Sequence, residues 1–328
     1  MKTNAIIRII IWSVVIVLFV GILVFFLGGY PVSGTILNNS TVIPISEDTA
    51  GESALVANTI HTVTANAITD IEIEWAAGSI ILQPGDVEAI TFSETAVSDN
   101  ADALVWEQKG SKLKIQYFKD SVVNFNIGIG NTLTKDLLIT VPQDWVCNSL
   151  EIDAASAGLT VTGLTIREVE IDTASGPCDF INCNITSLDL DTASGDIYFT
   201  GCLDELDCDA ASASFTGVLD NVPSRMDMDS MSGNLDITLP EGAGFTVTMD
   251  ALSSDFSSDF ATTTQNGRHV HGDGSCRINV DAMSGDVIIR KCVGSLSETI
   301  HTHTDACQTD PDSCPDNTST EHHQEHDH

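Results

Sequence analysis

A short sequence unit recurs between residues 153 and 285 and limits the folds that this chain can adopt. The unit reads Asp-x-x-Ser followed by glycine or another small residue. Its seven copies begin at Asp153, Asp172, Asp191, Asp209, Asp229, Asp250 and Asp281. The successive intervals are 19, 19, 18, 20, 21 and 31 residues. Self-similarity at a nearly constant period is typical of repeat architectures, in which each repeat packs on its neighbours.

Apolar and polar residues alternate on both sides of each unit, which indicates β-strands rather than helices. Leu190, for example, precedes the unit at Asp191, and Ile197 and Phe199 follow it. Two strands and a tight turn cannot bury an apolar face alone, but stacked copies can. We therefore predict an all-β protein, a β-solenoid of roughly 19-residue coils over residues 61–297, with less regular first coils. An antiparallel β-sandwich is the alternative, because strand-turn-strand repeats also build hairpins.

The repeated unit has the composition of a tight turn. An aspartate carboxylate can accept a backbone N–H nearby, a serine hydroxyl does so more weakly, and glycine adopts the positive φ that many turns need. The predicted turn ladder consists of Asp153, Ser156, Asp172, Ser175, Gly176, Asp191, Ser194, Gly195, Asp209, Ser212, Asp229, Ser232, Gly233, Asp281, Ser284 and Gly285. Repetition in register indicates a scaffold, since catalysis needs its residues at one place. His61, His269 and His271 fit no triad motif, so we expect no catalytic residues and no enzyme.

Stacked coils would also align acidic residues. Glu151, Glu170, Asp189, Asp207 and Asp227 each lie two residues before a motif aspartate. Coils about 4.8 Å apart would bring these like charges together, and such rows attract cations. Weak Ca²⁺ binding by the two acidic rows is therefore a hypothesis, although the fold itself requires no cofactor. The alternative is a solvated acidic face whose internal repulsion is screened by salt.

The amino terminus predicts a membrane anchor. Residues 9–27 contain no charged side chain and would form a helix about 28 Å long, close to the thickness of a bilayer core. Lys2 and Arg8 precede this stretch, so the positive-inside rule keeps the terminus in the cytosol and exports the remainder. The predicted segments are a cytosolic terminus over 1–8, a single transmembrane anchor over 9–29 and a polar linker over 30–60. A cleaved signal peptide is the alternative, although no clear Ala-x-Ala site follows.

The charge balance restricts the partners of the exported body. The chain has 13 lysines and arginines against 47 aspartates and glutamates, which gives a net charge of −34. This balance argues against nucleic-acid binding, because phosphate contacts need a basic face. We expect a protein of the cell membrane whose body lies outside the cytoplasm.

The cysteines predict one disulfide. Nine cysteines in an exported chain favour disulfide formation. Cys183 and Cys202 each lie eight residues after a motif serine, so adjacent coils would place them one above the other, within disulfide reach. A reduced pair is the alternative. Cys178 and Cys208 occupy apolar positions of the alternating pattern and are expected to be small core residues.

The last segment, residues 298–328, is expected to be a disordered tail rich in histidine, aspartate and cysteine. Imidazole and thiolate groups suit Zn²⁺, Ni²⁺ or Cu²⁺, although no closed-site spacing is present. The candidate metal ligands are His301, His303, Cys307, Cys314, His322, His323, His326 and His328. A weaker candidate within the body combines His269, His271 and Asp273.

Two further stretches, from Gly110 to Ile115 and from Leu239 to Phe245, accompany the Ser-Gly turns. Together they resemble a bacterial family of β-strand-repeat domains of unknown function that carries the label "putative adhesin". The resemblance covers about residues 61–291. It implies an exported, β-solenoid-like domain that is often tethered to the membrane and associated with the cell envelope. The family supplies no catalytic residues.

These observations lead to one expected function and one alternative. We expect a membrane-anchored, extracytoplasmic β-repeat protein that acts as an adhesin, or as a binding or structural module of the envelope, without catalysis. Its partner would be an envelope component, a polysaccharide or a protein. The alternative is a surface metal-binding protein that acts through the histidine-rich tail. A carbohydrate-active β-helix enzyme is disfavoured, because the carboxylates form repeats instead of one catalytic pair.

Overall fold

The computed structural model describes residues 59–96, 103–117 and 134–292. The predicted cytosolic terminus, the membrane anchor, nearly all of the linker and the tail lie outside these ranges. Within them, no helix has the length and apolar character that a membrane crossing requires. The predicted anchor over residues 9–29 and the predicted metal ligands of the tail therefore stay predictions.

The described residues form nineteen β-strands and one 3-10 helical turn, Ala65–Ala67. The strands are β1 His61–Val63, β2 Asp70–Gly85, β3 Ile90–Ala96, β4 Val105–Lys109, β5 Lys112–Gln116, β6 Lys135–Pro142, β7 Val146–Thr162, β8 Thr165–Ser175, β9 Cys178–Ser194, β10 Ile197–Ser212, β11 Phe215–Leu219, β12 Arg225–Ser232, β13 Leu235–Leu239, β14 Phe245–Ser253, β15 Phe256–Ser258, β16 Thr263–Gln265, β17 Arg268–His271, β18 Cys276–Ser284 and β19 Val287–Lys291. These ranges contain no α-helix, so the prediction of an all-β class is confirmed.

Neighbouring copies of the repeat pair as parallel strands. β8 places Asp172 opposite Asp153 of β7 and opposite Asp191 of β9. Parallel pairing of successive copies produces an open stack of coils, so hairpins of an antiparallel sandwich do not describe the repeats. The core lies inside the coils, because every second side chain, such as Leu188 and Leu190, is buried.

The order of the coils in the stack differs from their order in the chain. Asp281 lies opposite Asp229 on one side and opposite Asp250 on the other, so the last coil sits between two earlier ones. The interval of 31 residues before Asp281 permits this arrangement, because it contains the hairpin of β16 and β17. β17 pairs antiparallel with one edge of β14, and the chain then returns as β18 on the other edge.

The first coils are irregular, as predicted. β2 pairs parallel with β7 on one side and with β5 and β6 on the other. β5 and β6 pair antiparallel with β4 and β3, respectively. Lys135 is only 1% exposed, and its Nζ lies 2.7 Å from Glu94 Oε2 and 4.1 Å from the ring centroid of Tyr117. This buried cation has an anionic and an aromatic partner, which compensate for its lost hydration.

The glycine of the motif lies where two coils approach closely. Gly195 has a φ of 136°, and a Cβ added there would lie 2.1 Å from the carbonyl oxygen of Gly176. Gly176 has a φ of 133°, and its added Cβ would lie 2.4 Å from the carbonyl oxygen of Ala157. Both the backbone conformation and the contact between coils therefore require glycine.

Candidate binding faces

The acidic face consists of two rows of carboxylates on the outer surface of the coils. Glu170, for example, lies opposite Glu151 on one side and Asp189 on the other. The rows are Glu72, Glu151, Glu170, Asp189, Asp207 and Asp227, and Glu74, Asp153, Asp172, Asp191, Asp209, Asp229, Asp281 and Asp250. Because paired strands are about 4.8 Å apart, each carboxylate within a row has like charges as neighbours.

Two lysines neutralise the first end of the acidic face. Lys112 Nζ lies 2.7 Å from Glu72 Oε2 and 2.9 Å from Glu151 Oε2. Lys114 Nζ lies 2.6 Å from Glu72 Oε1 and also pairs with Glu74. Burial alone would raise the pKa of Glu72, but the hydrogen bonds and charges of the two lysines outweigh it, so that pKa is lowered. The same carboxylates raise the pKa of both lysines.

An arginine and an asparagine interact with the carboxylates near the other end of the first row. Arg225 forms an ion pair with Asp227, and its guanidinium also lies 3.6 Å from Asp207. Asn279 Nδ2 donates a hydrogen bond to Asp227 Oδ1 at 2.8 Å. Asn279 occupies the row position that follows Asp227 in the stack. The first row therefore changes from charged to neutral at this coil.

The central coils of the acidic face have a different environment. In the described part of the chain, no lysine or arginine lies within ion-pair distance of Asp153, Glu170 or Asp191. Burial and the neighbouring carboxylates raise the pKa of all three groups, and the pKa of Asp191 reaches about 6. The neighbours that act on Asp191 include Asp172 and Asp189. These carboxylates would gain from any mobile cation that approaches them.

The arrangement of the carboxylates does not by itself define a metal centre. In the described ranges, no three side chains of His, Cys, Asp or Glu form a group that could hold a metal ion. The rows present their carboxylates along an open outer surface, and such a surface attracts cations through its overall field. Calcium binding by the acidic rows therefore stays a hypothesis.

In the copies that begin at Asp172 and Asp191, a threonine forms a hydrogen bond at the motif corner. Thr173 Oγ1 donates to the carbonyl oxygen of Ser175 at 3.2 Å. Thr192 Oγ1 donates in the same way to Ser194, at 3.1 Å. The Asp191 carboxylate instead belongs to the outer acidic row. At these two copies, a threonine-to-carbonyl bond thus stabilises the turn for which the sequence predicted an aspartate-to-amide bond.

The other members of the predicted turn ladder share the same register. The motif serines lie opposite one another, as Ser175, Ser194, Ser212, Ser232 and Ser284. Ser156 is opposite Ala77, and its hydroxyl donates to the carbonyl oxygen of Ala76 at 3.3 Å. Gly285 has a φ of 138°, whereas Gly233 has no positive φ but lies against the carbonyl oxygen of Ala213.

A second ladder, which the sequence analysis missed, lies five residues after the last five motif aspartates. Asp196 Oδ1 accepts the backbone N–H of Ser214 at 3.0 Å, and Ser214 Oγ accepts that of Asn234 at 3.2 Å. Asn234 Oδ1 accepts the backbone N–H of Asp286 at 2.8 Å, and Asp286 Oδ1 accepts that of Asp255 at 3.0 Å. We name these five residues the corner ladder. Its sequence signal is the recurrence of Asp, Ser and Asn at one position of the repeat, because their short side chains accept N–H bonds.

The structure does not align the two cysteines of the predicted disulfide. Cys183 lies opposite Gly201, and Cys202 lies opposite Asn184, because the pairing of β9 with β10 shifts by one residue after Phe199. Successive side chains of a strand point to opposite faces, so Cys183 is buried while Cys202 is partly exposed, and both are free thiols. The predicted alignment is therefore replaced by an offset of one residue.

The core cysteines behave as small apolar residues. Cys178 and Cys208 are buried, in agreement with their apolar positions in the pattern. Burial raises the pKa of each of these thiols to about 12. A thiol with so high a pKa is a poor nucleophile and a poor metal ligand near neutral pH.

Two histidines of the body, His269 and His271, pack on aromatic rings at the end of the stack. The ring of His269 stacks on Phe256 with centroids 4.1 Å apart. The ring of His271 lies 4.8 Å from that of Phe260. Asp273 Oδ1 accepts a backbone N–H two residues ahead at 3.0 Å. Together with Asp273, these histidines were the weaker metal candidate, and they belong to no group of three ligands among the described residues.

A second outer surface, the neutral face, lies on the strands that follow the motif. Its members are Thr160, Thr162, Asp179, Ile181, Tyr198, Thr200, Thr216, Val218, Asp236 and Thr238. Tyr198 and Val218 are 41% and 40% exposed. Asp236 is paired with Arg290, whose Nε and second terminal nitrogen lie 2.8 and 2.7 Å from its carboxylate oxygens. The neutral face thus combines hydroxyl groups with exposed apolar side chains and has little net charge.

One family model matches part of the repeat region. The model of the Toastrack DUF4097 family matches residues 68–205, and the parallel coils continue beyond this match to Lys291. The comparison with curated proteins finds no match.

The solved structures to which this chain is similar include three bacterial proteins. A "putative cell adhesion protein" from Clostridium sporogenes is 12% identical over 71% of this chain and 98% of its own, with a TM-score of 0.32. A "putative adhesin" from Bacteroides fragilis is 13% identical over 72% and 97%, with a TM-score of 0.32. A "putative lipid binding protein" from Parabacteroides distasonis is 13% identical over 71% and 96%, with a TM-score of 0.28.

The family match confirms the resemblance to a β-strand-repeat family of unknown function that the sequence predicted. It covers the first coils and the regular copies that begin at Asp153, Asp172 and Asp191. Residues 68–205 of the chain match the Toastrack DUF4097 family.

Proposed function

We propose that this protein is a membrane-anchored, extracytoplasmic module that binds or organises a component of the cell envelope without catalysis. The observation that carries the proposal is the stack of coils, which presents two outer faces of different chemistry, one acidic and one neutral. Repeat proteins use extended faces of this kind to bind large partners. The repetition of carboxylates and serines at every coil supports a binding scaffold over an active site at one position.

The location outside the cytoplasm is part of the proposal and rests on the sequence. Residues 9–29 have the length and apolar character of a transmembrane anchor, and residues 30–60 have the polar composition of a linker. A strongly acidic body also suits a protein that must stay apart from other anionic molecules until a specific contact forms.

Protease added to intact cells tests this topology. The expected result is removal of the body and retention of a small membrane fragment that contains Trp12, because the anchor precedes a polar linker. A body that stays fully protected in intact cells, but is cleaved after lysis, would contradict export. Binding is tested by sedimentation of residues 30–328 with isolated envelope fragments. Recovery of the protein only in the supernatant would contradict the binding role.

Metal capture by the tail is the second candidate function. The clustered histidines of residues 298–328 favour it, since clustering raises the local concentration of imidazole ligands for Zn²⁺, Ni²⁺ or Cu²⁺. Deletion of residues 298–328 separates the two candidates. Envelope binding should survive the deletion if the body is the binding module, whereas zinc uptake in equilibrium dialysis should be lost if the tail captures metal.

A further inference from the structure

The neutral face differs in charge from the rest of the chain, and this difference restricts the ligands that it can bind. The whole chain has a net charge of −34, yet this face has one carboxylate, Asp179, besides the Asp236 that is paired with Arg290. Large exposed side chains lie next to hydroxyl groups, because Tyr198 is opposite Thr216 and Val218 is opposite Thr238. Such a surface offers both apolar contact and hydrogen bonds to an uncharged ligand.

The charge of the chain excludes several occupants. An anionic polymer would be repelled by the field of the whole chain. A cationic partner would bind instead to the acidic face, where the carboxylates of Asp153, Glu170 and Asp191 have raised pKa values. Charge complementarity therefore leaves an uncharged partner for the neutral face.

The size and shape of the neutral face exclude other occupants. Five strands about 4.8 Å apart and four residues of about 3.3 Å each give an area of roughly 300 Å². A stable interface between two copies of a protein needs about 800 Å² from each partner, so the ten residues of the neutral face alone do not supply a dimer interface. The face is an open sheet surface, whereas pockets for small molecules are concave.

We propose that the neutral face binds an uncharged, extended polysaccharide, and this proposal rests on the proposed envelope-binding function. The flat ring of Tyr198 would contact the apolar C–H face of a sugar ring. The hydroxyl groups of Thr160, Thr216 and Thr238 would exchange hydrogen bonds with sugar hydroxyls. Parallel strands repeat these groups at regular spacing, which matches a ligand that is itself a repeating chain.

The test uses the full-length protein in detergent micelles and native gels that contain a glycan. The probes are dextran, hydroxyethyl cellulose and mannan as uncharged polysaccharides, with polygalacturonate as the anionic control. The proposal expects retardation by at least one uncharged glycan. It is overturned if no uncharged glycan retards the protein, or if only polygalacturonate does.

Variants then locate the binding surface. Tyr198→Ala should weaken the affinity for the retarding glycan about tenfold, equivalent to about 1.4 kcal/mol. Val218→Ser should weaken it less. Both side chains point outward, so the variants should keep the wild-type circular dichroism and melting temperature. Asp191→Asn, on the acidic face, is the matched control and should bind like the wild type. Unchanged affinity in both Tyr198→Ala and Val218→Ser overturns the proposal.

Sedimentation with treated envelope fragments separates this proposal from the proposed function. Periodate, which oxidises sugars, should abolish binding, and protease digestion of the fragments should preserve it. Binding that is lost only after protease digestion identifies a protein partner and overturns the glycan proposal, while envelope binding itself stands. The absence of binding to untreated fragments overturns both proposals.

Discussion

Glu72 and Glu170 occupy the same row of the acidic face, two coils apart, and have opposite pKa shifts. Lys112 and Lys114 donate to Glu72 and lower its pKa. Burial and neighbouring carboxylates such as Glu151 raise the pKa of Glu170. The strand register is the same at both positions, so the difference comes from the side chains next to each carboxylate. Stacking thus places a carboxylate at the same position of successive coils. Lys112 and Lys114 neutralise these carboxylates at the first end of the row.

The largest effect is expected at the closest contact between coils. Gly195→Val combines a φ of 136° with a Cβ that would lie 2.1 Å from the Gly176 carbonyl oxygen. Backbone strain and overpacking together should lower the free energy of unfolding by about 2 to 5 kcal/mol. Gly110→Val in the first coils is the matched control, because Gly110 has a φ of 63° and no atom within 4 Å of an added Cβ. Denaturant unfolding of both variants measures the difference, and equal losses would contradict a tight contact in the regular coils.

The next prediction concerns a variant that removes a lysine from the first coil, so that its carboxylates lose a cationic partner, as in the central coils. Lys114→Met removes the hydrogen bonds to Glu72 and Glu74, whose carboxylates then lack that cation. The expected loss of unfolding free energy is about 1 to 3 kcal/mol. Lys109→Met is the control, because its pair with Glu107 is far more exposed, and its loss should stay within about 0.5 kcal/mol. If Lys109→Met lowered the free energy of unfolding as much as Lys114→Met, the burial of an ion pair would not determine its contribution to stability.

The pH dependence of stability should differ between the two regions. The pKa of Asp191 is raised from 3.8 to about 6, so the folded protein binds more protons than the unfolded chain between these values. Stability from this group is therefore lost as the pH rises from about 4 to 6. The lowered pKa of Glu72 acts in the opposite direction, since its contribution is present above the unfolded pKa and lost as the pH falls through the folded pKa.

Thermal unfolding between pH 4 and pH 8 measures this dependence. The melting temperature should be roughly a few degrees higher near pH 5 than near pH 7. Asp191→Asn should reduce that difference, because Asn cannot titrate. A wild-type melting temperature that rises steadily from pH 5 to pH 7 would contradict the charge repulsion assigned to the central coils.

The smallest effect concerns a single charge in the centre of the stack. At low ionic strength, Asp191→Asn should stabilise the protein by a few tenths of a kcal/mol, because it relieves repulsion from Asp172 and Asp189. The gain should vanish at high salt. The same variant tests the calcium hypothesis, which requires that it reduce any stabilisation by calcium. Equal wild-type melting temperatures in calcium and in chelator, at matched ionic strength, would remove that hypothesis.

Much of the fold follows from the spacing of the repeats. The all-β class and the buried positions of Cys178 and Cys208 could be read from the alternation of apolar residues. The insertion of the last coil between two earlier coils could not, because a period gives the size of a coil but not its place in the stack. That place depends on the hairpin of β16 and β17, a tertiary feature without a repeat signal.

The sequence was also insufficient to predict the position of single site residues. Cys183 and Cys202 have equal offsets from their motif serines, yet a one-residue shift after Phe199 separates them. Counting residues from the motif serine cannot locate such a shift within the coil. The corner ladder was missed for another reason. Asp196, Ser214 and Asn234 differ in identity, and only their shared ability to accept a backbone N–H relates them.

Residue-resolved titration of the carboxyl groups by NMR is the most direct test of the contrast within the acidic face. The groups to follow are Glu72 and Asp191. The account predicts a pKa near 6 for Asp191 and a pKa below the ordinary 4.5 for Glu72. Lys114→Met should raise the Glu72 value and leave that of Asp191 unchanged. Two carboxyls that both titrate at their ordinary values would contradict the claim that the stack concentrates charge in its centre and neutralises it at its end.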